Sequence, residues 1–203
     1  MLKTKICVMV SGGGTNLQAL IDAERDGIIQ SGEISLVLSN KRGAYALERA
    51  RLAGIESVVI EKGDCADASD FESRIIEAID SRGIELIVLA GFMSILSERF
   101  TAHYSDRIIN VHPSLIPSFC GKGFYGLRVH EAALAYGVKV SGATVHFVNE
   151  IPDGGKIIMQ RAVAVMDGDT PEILQKRIME EAEWKILPLS CEKVAREISE
   201  QKK

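Results

Sequence analysis

Short apolar runs alternate with helical periodicity through the first half of the chain. The runs are rich in Val, Ile and Leu, are bounded by glycine, asparagine or charge, and lie at 5–10, 34–39, 56–61 and 84–90. Between them, apolar residues recur every three or four positions and a glycine stands near each end, at 15–27, 43–54 and 68–83. These signals are typical of strands and helices respectively. The alternation predicts an α/β fold with a Rossmann-like, doubly wound, mostly parallel sheet.

The rhythm changes after residue 112. Two longer apolar segments, 138–150 and 156–165, are separated by the turn-rich sequence at 151–155, which predicts an antiparallel C-terminal extension of the sheet. The last segment is helical, with Thr170 as N-cap and Pro171 at the first helical position, and we expect a break or kink near Pro188. With neither a repeat nor a linker, residues 1–203 form one predicted domain.

Three consecutive glycines, Gly12 to Gly14, separate the first strand from the first helix. Glycine lets the backbone approach a ligand, and the N–H groups and dipole of a helix start favour an anion. Leu17 stands where a dinucleotide-binding fingerprint needs its third glycine, and the second strand ends in Ser39 and Asn40 rather than an acid. We therefore expect a simple phosphate, with Thr15 and Asn16 adding hydrogen bonds, although a tight turn without a ligand is the alternative.

Asn110 and His112 interrupt an apolar strand just before Pro113. Residues two apart on a strand point to the same side, so both side chains are expected to face one pocket. The carboxyl edge of an open α/β sheet is where ligands bind, and the glycine turn lies at the same edge. An amide can donate to a developing oxyanion, and a neighbouring imidazolium can donate a second bond or a proton. A hydrogen-bonded core histidine beside a turn-forming asparagine is the alternative.

A protonated histidine needs a carboxylate partner. The candidates are Glu150 and Asp153, and the residues alone do not choose between them. No serine or cysteine nucleophile is evident, because GxSxG is absent and Cys120 lies in a glycine-rich loop without an assigned base. The pattern favours acyl chemistry on a phosphate-bearing substrate by direct transfer.

Composition narrows the class of protein. The 203 residues are 46% hydrophobic and 26% charged, with a net charge of −4, which argues against a nucleic-acid partner. Four scattered cysteines fit reduced thiols and no metal, and no segment resembles a signal peptide or membrane span. We therefore predict a cytoplasmic protein, monomeric or homodimeric, that needs no metal.

Five motifs, in this order and spacing, resemble the folate-dependent formyltransferases, and among them the glycinamide ribonucleotide formyltransferases of purine synthesis. They are SGGGTN, VLAGFMSIL, NVHPSLIPSF, GATVHFV and DGGKIIMQ, within residues 5–190. The resemblance implies a nucleotide- and phosphate-binding half at 1–105 and a folate-binding, catalytic half at 106–203. The implied reaction moves a formyl group from 10-formyltetrahydrofolate, the co-substrate, to the amine of glycinamide ribonucleotide.

By motif match, the resemblance assigns roles to particular residues. The catalytic trio falls on Asn110, His112 and Asp153, with Asp153 sustaining the charge of His112 and helping to shuttle a proton. The remaining contacts are Gly14, Thr15, Asn16 and Glu183 for glycinamide ribonucleotide, and Met93, Ser94, Ile95, Leu96 and Asn110 for the folate.

The sequence also departs from the family pattern. Arginines that contact the folate are common at Ser94 and near Ala68, and neither is present here; Lys62 is a candidate substitute. The loop 118–126 is long and glycine-rich, which suggests a mobile flap over the site. Lys156 stands where proline is common, and we expect no consequence of that change.

Three other functions compete with this one. Formyltetrahydrofolate hydrolase shares the trio, but it carries an N-terminal regulatory domain and tends to have a second histidine at Pro113, whereas this sequence begins with the first strand. Methionyl-tRNA formyltransferase carries a C-terminal tRNA-binding domain, and no basic surplus exists here. A non-catalytic nucleotide sensor has no use for an Asn-x-His pair beside an acid.

Overall fold

A computed structural model describes residues 2–202, which build one seven-stranded sheet. The strands are β1 (Thr4–Val10), β2 (Gly32–Ser39), β3 (Ser57–Val59), β4 (Leu86–Leu89), β5 (Ile108–His112), β6 (Val140–Phe147) and β7 (Ile157–Ala164). The helices are α1 (Thr15–Arg25), α2 (Tyr45–Leu52), α3 (Ala68–Asp80), α4 (Glu98–His103), α5 (Leu127–Tyr136), α6 (Pro171–Ile178) and α7 (Trp184–Glu200).

The strand order is β3-β2-β1-β4-β5-β6-β7. β1 to β5 run parallel, whereas β6 pairs antiparallel with β5 and with β7. This confirms the predicted Rossmann-like sheet with an antiparallel extension. The order reverses between β1 and β4, and the carboxyl edge at such a reversal is where open α/β sheets bind ligands.

β1, β2, β4 and β5 are buried on both faces, because alternate side chains enter different apolar clusters, whereas the short edge strand β3 is largely exposed. Along β1, Ile6 and Val8 join the cluster under α1, α2 and α7, while Cys7 and Met9 join the cluster under α3 and α4. A parallel sheet covered on both faces gives the continuous apolar runs seen in the sequence. Among residues 2–202, no helix is long and apolar enough to cross a membrane.

The expected break near Pro188 takes another form. Pro188 lies inside α7, and the irregularity is a widened turn one step earlier, at Met179–Glu183. Proline has no N–H to offer the carbonyl of Trp184 and its ring crowds the preceding turn. The helical backbone forms one wide turn at Met179–Glu183, before the proline, and then continues as α7. Glu183, the last residue of the wide turn, is buried.

Candidate active site

The glycine turn brings the start of α1 to the carboxyl edge of β1. Gly14 is the N-cap residue and has φ +72, a left-handed conformation that suits glycine. A Cβ at Gly14 would also come within 2.6 Å of the Cβ of Ala46 on α2. Both the backbone conformation and this contact therefore disfavour a side chain at position 14. Thr15 and Asn16 form the first turn of α1 and follow at the same edge.

Asn16 and Glu183, predicted to contact the same substrate, meet across 167 positions of sequence. The Asn16 Nδ2 donates to Oε2 of Glu183 at 2.8 Å. Burial raises the pKa of Glu183, and the hydrogen bond from Asn16 offsets part of that rise. The Oδ1 of Asn16 is buried and has no partner among the described residues, so the amide retains an acceptor that a ligand can use.

Asn110 and His112 lie at the C-terminal end of β5, just before Pro113. The antiparallel register sets Asn110 opposite His146 and His112 opposite Thr144. The Nε2 of His112 donates to the carbonyl oxygen of Phe119 at 2.9 Å. Its Nδ1 lies 3.5 Å from Oδ2 of Asp153. The imidazole is therefore held between a loop carbonyl and a carboxylate.

Asp153, rather than Glu150, is the acid beside His112. Asp153 lies in the β6–β7 turn with φ +56, a conformation that aspartate and asparagine adopt more readily than most residues. Its Oδ2 accepts from the N–H of Gly121 at 2.8 Å. Glu150 is exposed and lines a cleft of about 330 Å³ against α4 that none of the trio lines.

The charge state of His112 differs from expectation. Burial lowers the pKa of His112, and the nearby Asp153 carboxylate raises it only in part. Burial by itself would raise the pKa of Asp153, but the His146 hydrogen bond, the charge of His112 and the Gly121 N–H bring it below its usual range. We expected Asp153 to hold His112 protonated; in the free protein, burial favours the neutral imidazole instead.

Two further histidines were missed by the sequence reasoning. His146 Nδ1 donates to the carbonyl of Phe147 at 2.7 Å, and its Nε2 lies 3.3 Å from Nδ2 of Asn110 and 3.6 Å from Oδ1 of Asp153. His130 on α5 is completely buried, and neither ring nitrogen has a partner among residues 2–202. Burial and the charge of His112 lower the pKa of His130 to about 4. The sequence pattern could have indicated His146. It lies on β6, the strand that pairs with β5, two positions from Thr144 and opposite Asn110.

The segment 118–126 touches the trio through its backbone. The Phe119 carbonyl accepts from His112, and the Gly121 N–H donates to Asp153. Phe119 itself has φ +50, and its ring packs against those of Phe124 and Tyr136 at centroid distances of 6.4 and 6.0 Å. The predicted flap therefore lies over the site and is fastened to it.

The predicted folate-binding segment, Met93 to Leu96, follows β4, and its side chains differ in solvent exposure. Met93 and Ile95 are exposed, whereas Leu96 is buried. Ser94 accepts a hydrogen bond from Nδ2 of Asn40 at 2.9 Å, which ties it to the end of β2. Lys62, the candidate substitute for the missing arginines, places its ammonium 5.4 Å from the ring centre of Phe71.

At the carboxyl edge of a Rossmann-like sheet, the amide of Asn110, the imidazole of His112 and the carboxylate of Asp153 lie close together. Residues 4–190 match the family model described as "Formyl transferase", and the chain belongs to this family.

Within the family, two of the similar proteins are named for formyl transfer to glycinamide ribonucleotide and one for purine biosynthesis. The chain is 42% identical over 186 residues to the phosphoribosylglycinamide formyltransferase of Escherichia coli K12, covering 91% of this chain and 84% of that protein. It is 43% identical over 193 residues to the trifunctional purine biosynthetic protein adenosine-3 of Gallus gallus, covering 95% of this chain but only 18% of that longer protein. The structure of glycinamide ribonucleotide transformylase 1 from Symbiobacterium toebii superposes with a TM-score of 0.89 at 39% identity, over 96% of this chain and 89% of that one.

Proposed function

We propose that this protein transfers the formyl group of 10-formyltetrahydrofolate to the amine of glycinamide ribonucleotide. The products are formylglycinamide ribonucleotide and tetrahydrofolate. The observation that carries the proposal is the convergence of Asn110, His112 and Asp153 at the sheet edge that also holds the glycine turn. The names of the similar proteins supply the substrate.

The chemistry is a direct transfer. The amine of the nucleotide attacks the formyl carbon, and the carbonyl oxygen of the resulting tetrahedral intermediate carries the negative charge. The Asn110 amide and the His112 imidazole donate to this oxyanion. The amine loses a proton, N10 of the folate gains one, and the bond between the formyl carbon and N10 then breaks. His112 takes up the proton that the amine releases, and Asp153, 3.5 Å from Nδ1 of His112, stabilises the protonated imidazole and helps pass the proton on to N10.

A neutral His112 in the free protein suits this mechanism. The oxyanion is a new negative charge beside the imidazole, and an opposite charge within about 4–6 Å favours the protonated form. The pKa of His112 therefore rises as the intermediate forms, and the proton released by the amine has a place to go. A histidine already protonated could donate to the oxyanion but could not accept that proton.

Each substrate is contacted from both halves of the domain. The half at 1–105 supplies the phosphate site at Gly14, Thr15 and Asn16, and the half at 106–203 supplies the trio and Glu183. Met93, Ser94, Ile95 and Leu96 border the folate together with Asn110, and the exposed Met93 and Ile95 offer it apolar surface. Within residues 2–202 no group of His, Cys, Asp and Glu could hold a metal ion, and a metal-free reaction stays a prediction. The cytoplasmic location also stays a prediction.

One assay tests the proposal against its rivals. The protein is incubated with 10-formyltetrahydrofolate, with and without glycinamide ribonucleotide, and release of tetrahydrofolate is followed. Release that requires the nucleotide supports transfer. Release without it supports hydrolysis, and no release under either condition supports a binding module.

A further inference from the structure

The carbonyl groups of the glycine turn point at α2. The Ala46 N–H donates to the carbonyl of Gly12 at 3.1 Å, and Nε of Arg49 donates to the carbonyl of Gly13 at 2.8 Å. A trans peptide is planar, with its C=O and N–H on opposite sides. The same two peptide planes therefore direct the N–H groups of Gly13 and Gly14 away from α2, to the open side of the turn.

These two N–H groups are free in the protein. Across residues 2–202, neither Gly13 nor Gly14 donates its N–H to a protein acceptor. Gly13 is exposed, its φ is not positive, and a Cβ there would meet nothing within 4 Å. Nothing inside the protein requires glycine at this position, whereas a ligand that approaches the backbone closely does.

Arg49 is built into place for this contact. Its Nη1 donates to Oε1 of Gln18 at 2.9 Å, and its guanidinium lies 5.1 Å from the centre of the Tyr45 ring. One planar group thus binds the glycine turn and the side of α1 at once. A lysine carries the same charge but lacks the fixed fork that makes both bonds together.

We propose that Arg49 is a positioning residue that holds the Gly13–Gly14 peptide so that its N–H faces the phosphate of the nucleotide substrate. This inference rests on the proposed function, because it assumes a phosphate-bearing substrate at the turn. Arg49 was not among the residues that the sequence pattern indicated. Without the hydrogen bond from Arg49 the peptide plane is free to rotate, and its N–H then no longer points at the anion.

The test titrates ¹⁵N-labelled protein with inorganic phosphate and follows the amide signals of Gly13 and Gly14. It compares wild type with Arg49→Gln, Arg49→Lys and the control Arg51→Gln. Arg51 lies on the same helix but pairs with Glu48, at 2.7 Å, and not with the turn. We expect both Arg49 variants to weaken phosphate binding about tenfold, or 1.4 kcal/mol, and Arg51→Gln to match wild type.

Steady-state kinetics separate positioning from general damage. We expect KM for glycinamide ribonucleotide to rise about tenfold in both Arg49 variants, while kcat and KM for the folate stay close to wild type. Full rescue by Arg49→Lys would overturn the proposal, because charge alone would then suffice. Gly13 and Gly14 amides that ignore phosphate in the wild type would also overturn it.

The two proposals fail separately. Phosphate binding that depends on Arg49 in a protein without transfer activity would leave this inference standing and remove the proposed reaction. Transfer activity that is indifferent to Arg49→Gln would do the reverse. If Arg49→Gln does not fold, Gln18→Leu removes the second support of the guanidinium, and we expect the same loss to a smaller extent; an unchanged phosphate affinity would overturn the proposal.

Discussion

Replacing Asp153 by asparagine removes one charge and leaves the shape of the site intact. Asparagine tolerates the positive φ of this position, +56, as well as aspartate does. Its side-chain oxygen can still accept from the N–H of Gly121, which holds the loop 118–126 in place. The variant is therefore expected to fold and to differ from wild type in charge alone.

The size of the effect follows from the distance between the charges. The Asp153 carboxylate lies 3.5 Å from Nδ1 of His112, and at an effective dielectric constant of about 20 two unit charges at that distance attract by roughly 5 kcal/mol. This attraction operates only when His112 is protonated. In the proposed mechanism His112 is neutral in the free protein and becomes protonated as the transition state is reached. Since each 1.36 kcal/mol changes a rate about tenfold, up to three powers of ten depend on this carboxylate. We expect kcat of Asp153→Asn to fall about 1000-fold, in line with the loss of an oxyanion-stabilising group.

The assay is release of tetrahydrofolate at saturating concentrations of both substrates. KM for glycinamide ribonucleotide is expected to stay near wild type, because the proposed phosphate site lies in the turn between β1 and α1. Glu150→Gln is the matched control, since it neutralises an exposed acid three residues away in the same turn, and we expect it to keep wild-type activity. A fall of less than about tenfold in Asp153→Asn, with the control unchanged, would refute the reasoning from Coulomb attraction.

Three other substitutions test separate parts of the structure. Gly14→Ala should destabilise the protein by about 3 kcal/mol in urea unfolding, from overpacking against Ala46 and a left-handed backbone, whereas Gly13→Ala should cost less than about 1 kcal/mol; equal losses would contradict the contact. His146→Ala should lower kcat about tenfold, less than Asp153→Asn, because His146 orients Asn110 through a single hydrogen bond; a larger loss would give it a direct role. His130→Leu should flatten the pH dependence of stability. The unfolded chain takes up a proton near pH 6.5 and the buried imidazole only near pH 4, so wild type loses unfolding free energy as the pH falls between these values; equal slopes in both proteins would exclude this source.

The sequence could predict the sheet and half of the site because both depend on side-chain order along single strands. Apolar runs without alternation indicate strands covered on both faces, and β1, β2 and β4 have that burial. Asn110 and His112 lie on the same side of β5 because they are two positions apart on the strand. The alternation of side chains along a strand depends only on their order in the sequence, so it can be predicted without the tertiary structure.

The rest of the site comes from groups that a sequence does not distinguish. The choice of Asp153 over Glu150 depends on how the β6–β7 turn folds back, with a left-handed residue at Asp153 itself. The partners of the trio in the loop 118–126 are a carbonyl and an N–H, which every non-proline residue possesses. Only tertiary structure selects Phe119 and Gly121 for these contacts.

The charge of His112 shows why naming the partners of a residue does not settle its chemistry. A carboxylate beside a histidine suggests a protonated ring, and that was the expectation from the sequence. Side-chain exposure of 6% reverses the balance, because removing a cation from water costs more than the nearby carboxylate returns. Moreover, its Nε2–H is committed to the Phe119 carbonyl, so it can reach a formyl oxygen only when that carbonyl moves aside. In the proposed mechanism, His112 therefore becomes available as a donor only when this hydrogen bond from its side chain to the backbone of the 118–126 loop opens.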